Sequence, residues 1–220
     1  MKITLKGDIA KDRLQSMVDL DIRFDISHRP GLTVVEFEGE DEVVFSNYLK
    51  ANFEICYTLD ELALDLYKGK LVDVGNYGFG IFCDISSQKE VLISLNSLRE
   101  VFGGKLSTRE YIFKKGLIEG LCVDVRLTRI ERGTGRVWGE LDREWVKKHL
   151  LDGSITVSMV ELDKLKRLIN GTSFRNSIKI IPLCESSFLL RCKEGIDPPG
   201  IVHLIGSGIR EARLGIVGEI

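Results

Sequence analysis

Three aspartates, Asp73, Asp84 and Asp124, could support metal chemistry if the fold of this 220-residue chain brings them together. Each of them also suits the exposed side or the end of a strand. The three histidines are dispersed and no CxxC pair occurs, so a zinc site is not predicted. We expect no metal and no other cofactor. We expect free buried thiols in a reducing cytoplasm at the five scattered cysteines, which are Cys56, Cys83, Cys122, Cys184 and Cys192.

Two glycine-rich segments have the composition of catalytic loops. Residues 77–80 resemble a phosphate-binding loop, but no Lys-Ser/Thr pair follows them. Gly206-Ser207-Gly208 lacks the spacing of a nucleophile elbow, and no histidine–acid pair is identifiable beside it. We therefore predict no catalytic residue and expect the protein not to be an enzyme.

The first third of the chain has the pattern of a small α/β unit. Apolar residues alternate over 2–6 and 21–27, which predicts two strands. A turn at Arg29-Pro30-Gly31 leads to a third predicted strand over 32–37. One helix is predicted over residues 40–53. Another is predicted after a cap at Asp8, with apolar positions at Leu14, Met17 and Val18. This order fits a ferredoxin-like unit over residues 1–67.

The last third repeats the same order. Helices are predicted over residues 161–169 and after a cap at Asp197, where Pro198 and Pro199 open the helix. The predicted strands cover 154–160, 179–184, 188–192 and 213–217. We interpret residues 142–220 as a second ferredoxin-like unit.

The middle third is rich in short strands and glycines. A short helix over 111–115, after a cap at Ser107, separates the third strand from the fourth, and residues 131–135 form a hairpin turn. Five strands with a helix after the third are typical of an OB barrel. The strands are predicted over residues 71–74, 79–85, 91–95, 121–130 and 136–141. The predicted fold is therefore α+β and multidomain, with an OB barrel over residues 68–141 between the two flanking units.

Alternation along the fourth barrel strand assigns its residues to two faces. Val123, Val125 and Leu127 are predicted to face inward, so Arg126 and Thr128 face outward. Arg126 could therefore touch a phosphate. Trp138, next to an inward-facing valine, is also predicted to face outward.

The charge is distributed unevenly along the chain. The net charge of −2 combines −7 over residues 1–67, from 7 basic and 14 acidic residues, with +3 over 68–141 and +2 over 142–220. An acidic first domain is thus joined to two mildly basic ones, which indicates two kinds of surface on one molecule. The N-terminus lacks a signal-peptide pattern, and no apolar run is long enough for a membrane span, so no membrane contact is expected.

Four blocks of the middle third resemble the RNA-binding repeat named after ribosomal small-subunit protein S-one, an OB-fold variant. Phe-Gly-Ile-Phe-Cys-Asp at 79–84 is similar to the second strand of that family, and residues 91–98 to its third. The spacing of Gly120 and the apolar residues of 123–130 is similar to its fourth strand, and Gly-Arg-Val at 135–137 to its closing block. The resemblance covers about a third of the chain and implies the barrel fold.

The resemblance also implies which residues would meet RNA. In this family two aromatic rings stack on unpaired bases while basic side chains neutralise phosphates. Ser94 stands where the family has a histidine, and Glu131 where it has an aspartate. The positions implied to bind RNA are Phe79, Phe82, Ser94, Glu131 and Arg136.

Over its full length the chain also looks like an uncharacterised archaeal family with a central S-one-like barrel, which implies a cytoplasmic setting. In enzymes that carry this repeat, catalysis occurs in a large separate domain. The first hypothesis is therefore a non-enzymatic RNA-binding protein, associated with the ribosome or translation, that acts on single-stranded or structured RNA. The alternative is an adaptor of the transcription or translation machinery, which holds a basic protein on the barrel or on the acidic first domain.

Overall fold

The computed structural model describes residues 1–15, 20–29 and 31–219, with Gln15 described by its backbone alone. The predicted helix positions Met17 and Val18, and Pro30 of the predicted turn, lie outside the described residues. Contacts between residues divide the chain into two units, Met1–Leu62 with Ser86–Lys89 and Ala63–Ile85 with Glu90–Ile220. The three-domain division stays a prediction.

The first unit contains a three-stranded antiparallel sheet with the order β1-β3-β2. A bridge between Leu5 and Ile55 adds a short extended stretch to the free edge of β1. Phe45, on the helix that follows the sheet, is buried and contacts Phe37 of the sheet, with ring centroids 5.1 Å apart. The elements are β1 (Lys2–Lys6), α1 (Lys11–Gln15), β2 (Ile22–Arg29), β3 (Leu32–Gly39) and α2 (Glu42–Asn52).

The second unit begins with a closed five-stranded barrel, which is compatible with the predicted OB fold. Its strand order is β4-β5-β6-β8-β7, and all pairs are antiparallel except β6 with β8. Val123, Val125 and Leu127 are buried as predicted, while Arg126 and Thr128 are exposed. The elements are β4 (Leu66–Val72), β5 (Gly80–Asp84), β6 (Val91–Ser94), α3 (Leu95–Phe102), α4 (Thr108–Lys114), β7 (Cys122–Glu131) and β8 (Arg136–Leu141).

The structure differs from the sequence prediction between the third and fourth barrel strands. Two helices lie there instead of one, because the Ser94 hydroxyl accepts the N–H of Ser97 at 3.2 Å and starts α3 where a strand residue was predicted at position 95. The predicted cap Ser107 is confirmed, and it forms a capping box with Glu110 at the start of α4.

The second unit ends with a four-stranded antiparallel sheet of order β10-β11-β9-β12. Leu165, Ile201 and Phe188 are buried in the layer between this sheet and its helices. None of the helices in the described parts of the chain is long and apolar enough to cross a membrane. The elements are α5 (Arg143–His149), β9 (Ile155–Ser158), α6 (Leu162–Asn170), β10 (Ile178–Cys184), β11 (Ser187–Cys192), α7 (Pro198–Gly206) and β12 (Arg213–Ile216).

A disulfide bond joins the barrel to the C-terminal sheet, so the prediction of five free thiols is wrong for two of them. Cys122 at the start of β7 and Cys184 at the end of β10 are bonded, with Cα atoms 6.2 Å apart. Next to the bond, the Cys122 N–H donates to the Ser187 hydroxyl at 3.1 Å. The two cysteines are 62 residues apart in sequence, so their proximity depends on how two sheets pack, which strand patterns do not reveal.

Candidate nucleic-acid interface

Three aromatic rings form a cluster where the loop after β4 enters β5. Tyr77 lies 5.2 Å from Phe79 and 5.3 Å from Phe82, measured between ring centroids, and the two phenylalanine rings are 6.2 Å apart, edge to face. Phe79 is 54% exposed and Tyr77 is 38% exposed, while Phe82 is half-buried. Ring faces open to solvent can stack on unpaired bases. We call Tyr77, Phe79 and Phe82 the ring cluster.

Tyr77 is the member of the ring cluster that sequence analysis missed. The resemblance covers residues 79–84, and the loop before them shows only the composition of a glycine-rich segment. The available signal was three aromatic residues within six positions. A loop residue has no strand alternation to fix its direction, so only the structure could show that Tyr77 turns toward the other two rings.

Two hydrogen bonds anchor the loop that carries the ring cluster. The Thr108 hydroxyl, at the start of α4, donates to the Gly78 carbonyl at 2.7 Å. The Leu95 N–H, at the start of α3, donates to the Phe79 carbonyl at 2.8 Å. Both helices therefore hold the backbone next to Phe79, which reduces the entropy lost when that ring binds a ligand.

Gly80 allows β5 to approach β6 closely beneath the rings. A Cβ atom at this position would lie 2.4 Å from the Ile93 carbonyl oxygen. The glycine of the motif is therefore required by the packing of the two strands.

Ser94 pairs with Gly80 across β5 and β6, so it lies beside the ring cluster. Its hydroxyl caps α3 through the Ser97 N–H. Where the resemblance implies a histidine that meets RNA, this chain has a serine whose hydroxyl accepts one backbone N–H and keeps its own hydrogen to donate. A role of Ser94 in RNA binding stays a prediction.

Glu131 and Arg136 lie opposite each other at the hairpin between β7 and β8. The Glu131 carboxylate forms an ion pair with Arg129 and accepts the Thr134 hydroxyl at 2.9 Å. Arg136 is exposed and makes no ion pair with another described residue. Arg136 is therefore available for a phosphate, whereas Glu131 organises the hairpin.

The structure does not bring Arg126 to the ring cluster. Arg126 pairs in register with Leu66 of β4, six residues from Val72, which is the β4 partner of Phe82. Six residues of strand correspond to about 20 Å. Its guanidinium lies 3.4 Å from the Asp142 carboxylate. Arg126 faces outward as predicted, but on another part of the barrel.

Carboxylates lie near the end of β5, where Asp84 follows Phe82 by two residues. Partial desolvation raises the pKa of Glu90, and the charges of Asp73, Asp84 and Glu119 raise it further. The charges of Asp73 and Asp84 thus both act on Glu90, while Asp124 lies on β7 opposite Lys68. Within the described ranges, no three His, Cys, Asp or Glu side chains are arranged to hold a metal ion.

Two other side chains, Cys83 and Ser207, could in principle act as nucleophiles. Burial, and then the charge of Asp84, raise the pKa of the Cys83 thiol, so Cys83 does not form a thiolate at neutral pH. The Ser207 hydroxyl donates to the Leu204 carbonyl at 3.4 Å where α7 ends. Neither group has the surroundings of an activated nucleophile.

Comparison with known proteins leaves the function to be inferred from the site itself. No family model matches the chain. No curated protein matches it either. Among solved structures, it is similar to the crystal structure of a "putative exosome complex RNA-binding protein", with 20% sequence identity over 68% of this chain and 84% of that chain. The TM-score of this similarity is 0.29.

Proposed function

We propose that this protein binds single-stranded RNA on the outer face of the barrel and is not an enzyme. The observation that carries the proposal is the exposed ring cluster, in which Phe79 is 54% exposed although its backbone is fixed by two helices. A stacked base gains about 1–3 kcal/mol from each such contact. The exposed Arg136 on the same barrel supplies a charge for phosphate.

The proposal includes an interpretation of the fold. The barrel order β4-β5-β6-β8-β7, with its parallel β6–β8 pair, supports an S-one-like OB barrel. The element order of the C-terminal sheet and its strand order β10-β11-β9-β12 support a ferredoxin-like unit, and β1-β3-β2 supports a related unit at the N-terminus. A role on ribosomal RNA, an archaeal origin and a cytoplasmic setting rest on the resemblance alone.

A protein-binding adaptor is the second candidate function. It is favoured by the outer side of α2, where Val43 and Val44 are 61% and 54% exposed next to the acidic residues 40–42. An apolar pair within an acidic segment suits a basic partner with an apolar contact of its own. Partners that the full chain retains from lysate after nuclease treatment, but that a Val43→Lys, Val44→Lys variant does not retain, would support this function over RNA binding.

The RNA-binding proposal is tested by titrating labelled single-stranded RNA with wild-type protein and with a Phe79→Ala, Phe82→Ala variant. Phe113→Ala is the matched control, because Phe113 is a phenylalanine that is 84% exposed on α4 and lies outside the ring cluster. We expect wild type and control to bind equally and the double variant to bind weakly. Absence of binding by wild type, or equal binding by all three proteins, would contradict the proposal.

A further inference from the structure

The outer face of the barrel continues from the ring cluster toward β7. Phe82 pairs in register with Leu92, and Leu92 pairs with Trp138. These side chains alternate with buried residues on their strands and therefore share the outer face. Two strand spacings, about 10 Å, separate Phe82 from Trp138. An apolar path thus leads from the ring cluster to a fourth aromatic ring.

A β-bulge turns Arg129 onto that fourth ring. The register of β7 shifts between Leu127 and Arg129, so Arg129 pairs with Trp138. Without the shift, alternation from the buried Leu127 would direct residue 129 into the barrel. The Arg129 guanidinium carbon lies 5.0 Å from the Trp138 ring centroid. Bulges redirect side chains in this way next to functional sites.

The Arg129 guanidinium is held on two sides. The guanidinium lies over the Trp138 ring and forms an ion pair with the Glu131 carboxylate. Thr134 in turn holds Glu131 by a hydrogen bond of 2.9 Å. The Arg129 side chain remains 66% exposed. A guanidinium plane that is fixed and open offers a ready surface on which a base can stack.

A cleft of about 300 Å³ lies beside this stacked pair. This volume is at the lower end of the range for ligand pockets and suits one base better than a larger ligand. Its polar lining includes the Asn96 amide and the carboxylates of Glu100 and Glu140. Carboxylates accept hydrogen bonds from amino groups and repel phosphate, so the cleft favours the edge of an amino-bearing base.

We propose that Arg129, Trp138 and this cleft form a second base site. An RNA strand would run from the ring cluster over Leu92 to Trp138, stack a base on Arg129 and direct the amino group of that base toward the carboxylates. Glu131 is then a positioning residue, since it acts on RNA through Arg129. This inference rests on the proposed function, and it adds a preference for adenine, cytosine or guanine over uracil at one position.

Fluorescence can report on the second site directly. The chain has two tryptophans, and Trp145 is 7% exposed, so a Trp145→Phe variant leaves Trp138 as the single reporter. Labelled RNAs of about two and about eight nucleotides distinguish the sites, because only the longer strand can bridge about 10 Å from the ring cluster. We expect the longer RNA to quench Trp138 and the shorter one not to.

Arg129→Lys keeps the charge but removes the stacking plane. We expect it to weaken binding of the longer RNA about fivefold or more, which corresponds to about one stacked base, and to leave binding of the shorter RNA unchanged. Arg143→Lys, at an exposed arginine on α5, is the matched control. An oligomer of uridine should bind more weakly than one that contains adenine.

The outcomes separate the second site from the proposed function. If the wild type binds the longer RNA through Phe79 and Phe82, while Arg129→Lys has no effect and Trp138 is not quenched, the second site is wrong and RNA binding stands. Equal affinity for uridine and adenine oligomers contradicts the role of the cleft carboxylates. If the wild type binds neither RNA, both proposals are wrong.

Discussion

At the residue scale, the environment decides what each aromatic ring can do. Phe45 is also a phenylalanine, but it is 1% exposed and stabilises the core of the first unit. Phe79 is 54% exposed, and its place in the ring cluster gives it neighbours on one side and solvent on the other. Residue type therefore predicted an aromatic motif, while the availability of the rings depended on the fold.

The sequence predicted the placement of some site residues but not of others. Phe79 and Phe82 lie together as the resemblance implies, because one short segment carries both. Arg129 could not have been found from alternation, since the bulge before it reverses its direction. Ser94 could not be recognised as a cap, because that role depends on a helix that strand periodicity did not predict.

Glu90 offers a test of the electrostatics beside the ring cluster. We expect Glu90→Gln to raise the free energy of unfolding at neutral pH by a few tenths of a kcal/mol, a small effect because Glu90 is exposed and solvent screens its charge. Partial desolvation, and then the charges of Asp73, Asp84 and Glu119, raise its pKa. A carboxylate with a raised folded-state pKa destabilises the fold above that pKa, and this cost disappears as the pH falls through it.

The difference between wild type and Glu90→Gln should therefore shrink from neutral to mildly acidic pH in urea unfolding. Glu194→Gln, at an exposed glutamate outside this patch, serves as the control. A difference that is independent of pH would show that the effect does not come from the charge of Glu90.

At the scale of elements, the two helices between β6 and β7 position the loop that carries the rings. Alternation predicted the barrel strands because half of each strand faces a closed apolar interior, as at Ile81 and Ile93. The helix α3 was missed because its start depends on a single serine cap, and β4 begins at Leu66, earlier than the predicted 71. A single capping residue or an exposed strand end produces a weaker sequence pattern than a buried strand face does.

The hydrogen bond from Thr108 to the loop can be removed with little change in shape. We expect Thr108→Val to lower stability by about 1 kcal/mol, because the partly buried hydrogen bond to the Gly78 carbonyl is lost. It should also weaken RNA binding, because the loop beside Phe79 becomes less ordered. Urea unfolding and RNA titration measure the two effects.

Thr4→Val is the matched control for Thr108→Val. The Thr4 hydroxyl is buried and has no hydrogen-bond partner in the described structure, so the same substitution should be neutral or stabilising there. Unchanged RNA affinity for Thr108→Val would show that α4 does not order the ring cluster.

The disulfide between β7 and β10 predicts a stability that depends on redox state. Reduction, or a Cys122→Ser, Cys184→Ser variant, should lower the free energy of unfolding by roughly 2–4 kcal/mol, because the bond closes a long loop in the unfolded chain. Denaturant unfolding with and without reductant measures this change. Cys192→Ser is the control, because Cys192 keeps a free thiol.

A thiol count on protein unfolded without reductant can contradict the disulfide. Five reactive thiols after unfolding without reductant, out of five cysteines, would mean that Cys122 and Cys184 are not bonded. The same count tests the expectation of a reducing cytoplasm, because disulfides are rare there outside hyperthermophiles.

At the scale of the whole molecule, the charge limits how tightly RNA can bind. Residues 68–141 have a net charge of +3, while residues 1–67 have −7. Asp84, whose charge acts on Glu90, is two residues from Phe82 on β5, and Arg129 and Arg136 lie on β7 and β8. With two or three phosphate contacts, affinity should fall about tenfold between 50 and 200 mM salt. Stacking, which salt hardly affects, must therefore supply much of the binding.

The affinity of Phe79→Ala, Phe82→Ala for single-stranded RNA, compared with that of Phe113→Ala at two salt concentrations, tests RNA binding by the ring cluster most directly. Loss of two stacked bases should weaken binding about thirtyfold or more at both salt concentrations, while Phe113→Ala binds like wild type. Equal affinities for the double variant and the wild type, or no binding by the wild type at low salt, would contradict the proposed function.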